Sequence, residues 1–387
     1  MSLVLSDTRK FGIAMLKSVQ LEQFVQKIAC SGYPLEHWAS SLLRREGWSV
    51  TTNRYYVDSD DKKPREMDIV AFKETYLERF KVRTILLVSC KKSENSVWGF
   101  LRRPFPVERN QINLFPVMVT SKVPSVNYSL RDWKWRADFC HFMAEGGLLE
   151  WFGIPRHDVF AHQQLPLSDK GKIHDADMHS ATMQLIKAQA YEIAGHHTGN
   201  SREVTQFNLV SLTEGDFVGF NFCENDSIVA EEISEQVALA SYNVDNSDHE
   251  SRIIYLTKAS FGTQVSLFTN LHRLNVEFFV KREEKFRDGA IYDIDRRNIF
   301  IDEFSNYIKD IILGRTRSFR APPYVVPKIQ VSLHVGAPNM PIISILAYHP
   351  EVLEAARSPY IKEQLARALN NFWGYAGEFE LKFSADE

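Results

Sequence analysis

Only four cysteines occur in the 387 residues, Cys30, Cys90, Cys140 and Cys223, and no two stand at CxxC spacing. That excludes a disulfide framework and a structural zinc site, and it fits a reducing compartment, so a cytoplasmic location is expected. No apolar run approaches the ~18 residues of a membrane span, and acid and base interrupt the opening MSLVLSDTRKFG. Neither a secretory signal nor a membrane partner is expected. Internal repeats, low-complexity tracts and blocks of like charge are also lacking, which leaves little room for disorder. No GxxxxGK[ST] segment supports P-loop chemistry, and no GxSxG elbow supports a serine hydrolase.

What the chain does have is 44% apolar and 12% aromatic residues, enough for a well-packed globular protein. At roughly 150 residues per domain, its length suggests two or three units or one enlarged domain. A formal net charge of -3 excludes a coat of positive potential, so any nucleic-acid site must be a local patch. Candidate patches are Lys62, Lys63 and Arg65; Lys91 and Lys92; Arg102 and Arg103; Arg131, Lys134 and Arg136; and Arg315, Arg317 and Arg320. Taken singly, each reads as a solvated face.

Leu35, Trp38, Ala39, Leu42 and Leu43 recur at helical spacing before Gly47, which predicts an amphipathic helix over 35–46. Trp48–Val57 reads as a strand, Asp58–Pro64 as a polar turn, and Met67–Lys73 and Thr84–Lys91 as two further strands. The second of these, TILLVSCK, is apolar enough to be central. Residues 93–177, rich in tryptophan and proline without a sustained period, read as an insertion. A helix over Met178–Ile193 and strands QFNLVSL, DFVGFNF and RIIYLTK are expected to complete the same sheet. Phe300–Leu313 reads as a helix. After the Pro- and Arg-rich connector RTRSFRAPPYVVPK, a small α/β module follows, with strands KIQVSLHV and ISILAYH and a helix closed by Gly374. The domains are accordingly 1–314, with its core in about 30–92 and 178–280, and 315–387.

Alternate side chains of a strand share a face, so Asp68 projects with Val70 and Phe72, and Ser89 with Lys91, while Cys90 points the other way. Adjacent strands would bring Asp68, Ser89 and Lys91 into one cluster. An ammonium ending an apolar strand needs a partner, and Asp68 is the obvious counter-charge. A structural ion pair is one reading of these residues. The order of a helix beginning LEHW, strands ending in REMDIVAF and a strand ending in LLVSCKK resembles the PD-(D/E)xK nuclease superfamily, most closely its Mrr-like branch.

That resemblance, over about Leu35–Lys92, implies an α/β fold with a restriction endonuclease-like mixed sheet flanked by helices. It implies a metal-binding aspartate at Asp68, the middle acidic or amide position at Ser89, the signature lysine at Lys91 and the helical glutamate at Glu36. Mg²⁺ or Mn²⁺ would be held by Asp68 and the Cys90 carbonyl, with Glu36 acting through water. Lys91 would orient or deprotonate the attacking water, or stabilise the developing charge. Ser89 departs from the pattern and removes one formal charge from the metal shell. Glu66, two residues before Asp68 and on the same face, is a candidate substitute, with a turn-edge surface carboxylate as the alternative.

Lys92, Arg102 and Arg103 are the candidate nucleic-acid contacts. In WGFLRRPF, phosphate contact with base stacking and core aromatics beside surface arginines both remain open. His174, Asp175, Asp177 and His179, with His196 and His197 nearby, fit no zinc spacing, and the two aspartates suit a helix N-terminus. Gln184, Lys187 and Tyr191 share a helix face that could approach the proposed site, with a solvated polar stripe as the preferred reading. Three functions stay open: a metal-dependent DNA nuclease in restriction, repair or defence; a catalytically inactive nuclease-fold module for nucleic-acid binding or assembly; and a protein-interaction scaffold. DNA is the implied partner, RNA stays open, and the C-terminal module is the place for a homo-oligomer contact or a partner protein.

Overall fold

The computed structural model describes residues 18–58, 62–105, 116–168, 173–196, 202–223, 227–244, 247–316, 329–337 and 339–385. In chain order they form α1 (Ser18–Ala29), α2 (Tyr33–Arg45), β1 (Ser49–Val57), β2 (Pro64–Tyr76), β3 (Lys81–Lys92), β4 (Ser96–Pro104), β5 (Met118–Ser121), α3 (Pro124–Ser129), α4 (Trp135–Met143), α5 (Leu149–Phe152) and β6 (His157–Pro166). There follow α6 (Ala176–His196), β7 (Glu203–Glu214), β8 (Phe217–Phe222), β9 (Ile228–Ile233), β10 (Glu235–Val244), β11 (Ser247–Thr257) and α7 (Lys258–Arg287). The chain ends with α8 (Ile294–Asn298), α9 (Ile301–Thr316), β12 (Ile329–Gly336), β13 (Met340–Ala347), α10 (Pro350–Ala356), α11 (Pro359–Trp373) and β14 (Glu380–Ala385).

The main sheet is mixed, in the order β1-β2-β3-β7-β11-β10, with β5 paired to the first part of β7. β1, β2 and β3 form an antiparallel run, and β3, β7 and β11 are parallel. β3 is buried from Thr84 to Cys90, as expected of a central strand covered on both faces. One face is closed by Leu35, Ala39 and Leu43 of α2 and by Phe261, Phe268 and Phe279 of α7. On the other face, Met178, Ala181 and Leu185 of α6 pack over Val70, Leu87 and Leu209.

DFVGFNF does not join this sheet. As β8 it pairs in parallel with β4, and together with β6 and β9 they make a second, four-stranded sheet. The cause is aromatic: Trp98 stacks on Phe217, and Phe100 meets Phe217 and Tyr255 edge-on, so this pair is covered by burying its rings against the α6 side of the main sheet. The insertion 93–177 thus supplies strands to both sheets and, in α3 and α4, packing for α7.

The domain boundary also moves. α9 was expected in the first domain, yet its apolar face, Phe304, Ile308 and Ile312, is buried with β12, β13 and α11. The C-terminal core therefore begins near Phe286, and most of the connector falls at 317–328, outside the described residues. Its sheet is β12-β13-β14, and α11 ends as expected at Gly374, whose φ of 68° is the left-handed conformation that a C-terminal cap requires. The longest helix, the 30-residue α7, lies where the sequence reading assigns no element. Among the described residues, no helix is long and apolar enough to cross a membrane.

Candidate active site

The β2/β3 ladder ends at Ile69 opposite Val88. Beyond it, side chains take over from backbone in joining the strands. The β1/β2 pairing passes from Thr52–Ile69 to Arg54–Met67, skipping Asp68 and Asn53, and Asn53 has a left-handed φ of 53°. An irregularity of this kind re-aims a side chain. Here Asp68 turns its carboxylate across the fork, where Oδ2 accepts the Cys90 N–H at 2.6 Å.

Gln184 of α6 closes the fork. Its amide nitrogen donates to Asp68 Oδ1 at 2.9 Å and to the Glu66 carbonyl at 2.6 Å, and its oxygen accepts the Ser89 hydroxyl at 2.6 Å. Ser89 is completely buried, and its hydroxyl lies 3.5 Å from Asp68 Oδ2. The amide therefore satisfies Asp68, Ser89 and the β2 backbone together. Of the stripe, Gln184 belongs to the site and Lys187 lines the cavity beside it, donating to both oxygens of Asp58 at 2.9 and 3.1 Å, while Tyr191 remains 41% exposed with its ring 5.8 Å from that of Tyr56.

Asp68 and Ser89 thus meet as strand phase requires, although between the second and third strands of the sheet and not at its edge. Lys91 is nearby, but the expected Asp68–Lys91 ion pair does not form. The Lys91 ammonium makes no hydrogen bond or ion pair with any described residue, and its charge acts through space on Asp68, Glu36 and Cys90. It lines a cavity of about 400 Å³ together with Glu66, Gln184, Arg65, Lys187 and Met183.

The acidic groups are crowded. Burial raises the Asp68 carboxyl above its ordinary value, and Glu66 adds to this, while the Cys90 N–H, Gln184 and Lys91 oppose it. Burial likewise raises Glu36, followed by the charges of Asp68 and Glu66, with Lys91 and Asn53 opposing. Asn53 also donates to Glu66 Oε1. Cys90 contributes backbone only: its thiol is buried on the α2 side and is pushed well up by burial.

The resemblance implies a divalent metal. Among the described residues, no three His, Cys, Asp or Glu side chains converge as a metal cage, and the run from His174 to His179 makes none. A closed zinc-type site is not what these residues build. What they bring together is a pair of carboxylates, Asp68 and Glu36, each raised first by burial and then by neighbouring acidic charge.

The candidate phosphate contacts lie elsewhere. Arg102 is 4% exposed, donates to Glu231 and to Gln236, and packs so closely on Gly219 that a Cβ there would sit 2.2 Å from its guanidinium carbon. Arg103 is held by Asp158 at 2.8 and 3.0 Å, and Lys92 by the Ala29 carbonyl at 2.8 Å and by Glu94. All three are committed within the fold, Arg102 and Arg103 on the second sheet. Compared with known protein families, with curated proteins and with solved structures, the chain matches none.

Proposed function

We propose that the chain is a metal-dependent nuclease that hydrolyses phosphodiester bonds in DNA, with Asp68 and Lys91 at the reacting centre and Glu36 beside them. The observation that carries this is Lys91, which follows the buried run Thr84–Cys90 of β3 and whose ammonium is left without a bonded partner beside crowded carboxylates. A lysine placed for stability alone would sit in an ion pair, as Lys81 does with Glu74 and Glu203. The order of α2, β1, β2, β3 and α6, followed by β7 parallel to β3, supports a restriction endonuclease-like core.

A bound Mg²⁺ or Mn²⁺ would supply charge neutralisation at the phosphoryl oxygens and a more acidic water. Asp68, fixed by the Cys90 N–H and Gln184, presents an oriented carboxylate. Lys91, with its donors uncommitted, holds the attacking water or the developing oxyanion. Gln184 provides the amide that Ser89 does not, reaching the middle position from the opposite element. The neutral Ser89 hydroxyl favours a second reading, a nuclease-fold module that binds nucleic acid without cutting it. Cleavage of plasmid and single-stranded DNA across a Mg²⁺ and Mn²⁺ series decides between them. Hydrolysis that disappears in Asp68→Ala supports the enzyme, and binding without cleavage under every metal supports the module.

A further inference from the structure

We propose that the turn between α3 and α4 is a nucleic-acid anchor remote from the fork, with Trp133 against a base or sugar and Arg131, Lys134 and Arg136 on the phosphates around it. Its use in cleavage rests on the nuclease reading above, but the binding does not.

The first support is the turn itself. Trp133 is 69% exposed, whereas five of the other six tryptophans are buried. Its neighbour holds it out: Trp135 belongs to the main core, meets Phe139 edge-on, and donates its backbone N–H to the Asp132 carbonyl at 3.0 Å, while the Asp132 carboxylate accepts the Lys134 N–H at 3.0 Å. The turn is thus fixed before any ligand arrives. Arg131 and Lys134 are exposed and Arg136 is half-buried, and none of the three forms an ion pair with a described residue. The Lys134 ammonium lies 5.3 Å from the centre of the Trp133 ring, and the Arg136 guanidinium 5.8 Å from that of Trp135. Asp138 is held by Arg282 of α7 at 2.5 Å, which leaves Asp132 alone against three cations in a chain whose net charge is -3.

The second support is what the patch lacks. A membrane surface takes a continuous apolar face, but the apolar residues of α4 are buried, and within 116–148 Trp133 is the only large apolar side chain exposed. A protein interface places its cations at the rim of an apolar core, and no such core surrounds this ring. A nucleic acid offers phosphates on either side of a planar group, which is the arrangement that one ring among uncommitted cations fits. Lys92, Arg102 and Arg103, committed within the fold, do not supply that contact. The anchor is also distant. Thr257 stands opposite Thr213, and Thr213 opposite Lys91, so α7 begins at the fork's end of the sheet. Arg282, which ties α7 to α4, lies about 36 Å farther along that helix. A strand reaching from one to the other needs at least about ten nucleotides, at ~3.4 Å each.

The test is equilibrium binding of labelled DNA of about 40 nucleotides, as a single strand and as a duplex, with chelator present so that nothing is cut. The form that the parent binds more tightly should bind about tenfold more weakly to Trp133→Ala, while Trp133→Phe retains most of the affinity. The triple variant Arg131→Gln, Lys134→Gln, Arg136→Gln should weaken binding and reduce the slope of log affinity against log salt by about two. Parental affinity and slope in these variants, or no measurable binding of either form, would overturn the inference. So would Trp133-dependent capture on vesicles containing phosphatidylserine with DNA binding unchanged. If binding depends on the patch but no metal supports cleavage, the hydrolytic reading falls and this one stands. If the parent cuts through Asp68 and Trp133→Ala binds DNA as the parent does, the reverse is concluded.

Discussion

The main sheet carries two polar clusters, one buried under α7 and one half-buried where β2 and β3 part, and the two are built on opposite terms. On the α7 side, His272 bridges Thr75 and Thr84 at 2.9 Å each, Asn275 donates to Thr84 and Gln206, and Gln206 and Asn208 hold each other. Every member is formally neutral, since burial and then the Lys73 charge hold His272 down at about 4. Apart from the Asn275 carbonyl, which has no partner, the network closes on itself. At the fork, Glu36 of α2, Glu66, Asp68 and Lys91 gather beside an open cavity, and the lysine ammonium is left unbonded. A neutral, closed cluster contributes to folding; a charged, open one raises its own carboxyl pKa values and is poised for a ligand.

The sharpest way to break this contrast is to delete each cluster's centre. Lys91→Ala should lower cleavage by about a thousandfold with little change in the thermal melt, and Asp68→Ala should lower it as far at some cost in stability, since it strands the Cys90 N–H and the Gln184 amide. Retained cleavage by either variant, measured on plasmid DNA with Mg²⁺, would remove the fork from the mechanism. His272→Ala should do the opposite, costing roughly 3 kcal/mol in a urea titration while cleavage per folded molecule stays at the parental level.

Gln184 belongs to both categories and should show both losses. Gln184→Ala leaves Asp68, Ser89 and the Glu66 carbonyl short of partners, at a cost of about 1–3 kcal/mol together with a fall in cleavage. Because Ser89 is fully buried against it, a carboxylate is better restored at 184 than at 89, so Gln184→Glu should lower the metal concentration needed for half-maximal rate.

pH separates the clusters by sign. His272 has its folded value below the ordinary one, so its contribution is complete above about pH 6.5 and is lost as pH falls through about 4, on the order of 2–3 kcal/mol. Glu36 is raised, so its ionised form costs stability above its folded value and the cost fades as pH falls toward 4.5. Glu36→Gln should therefore raise the melting temperature at neutral pH and give no gain in acid. The smallest effect is expected at Arg103, where replacement by Ala should leave the salt dependence of DNA binding unchanged, since Asp158 already holds that guanidinium.

Much of the fork was legible. Strand phase alone placed Asp68 and Ser89 together, and the helix and three strands fall within a few residues of their expected bounds. Local order could not reveal Gln184, which meets Ser89 across 95 residues of sequence. Its signal was the shared face with Lys187 and Tyr191, and polar residues on a helix face look alike whether they meet water or a buried carboxylate. The cluster under α7 was invisible for a related reason. Phe261, Val265, Phe268, Leu271, Leu274 and Phe278 carry a clear helical period, but His272 and Asn275 lie buried among them and blur the apolar stripe. β8 was misassigned because an apolar hexamer does not announce which sheet it joins.

α7 also ties the molecule together in a mechanical sense. At 30 residues it is a rod of about 45 Å. Its middle is seated on the main sheet, and its far end enters the C-terminal core, with Phe286 packed there and Arg287, braced by Glu283, donating to the Asn371 carbonyl. A load applied to the C-terminal module, whether by a partner pulling on it or by a copy of the chain docking against it, is therefore carried along this strut to the underside of β3, the strand whose other end carries Lys91.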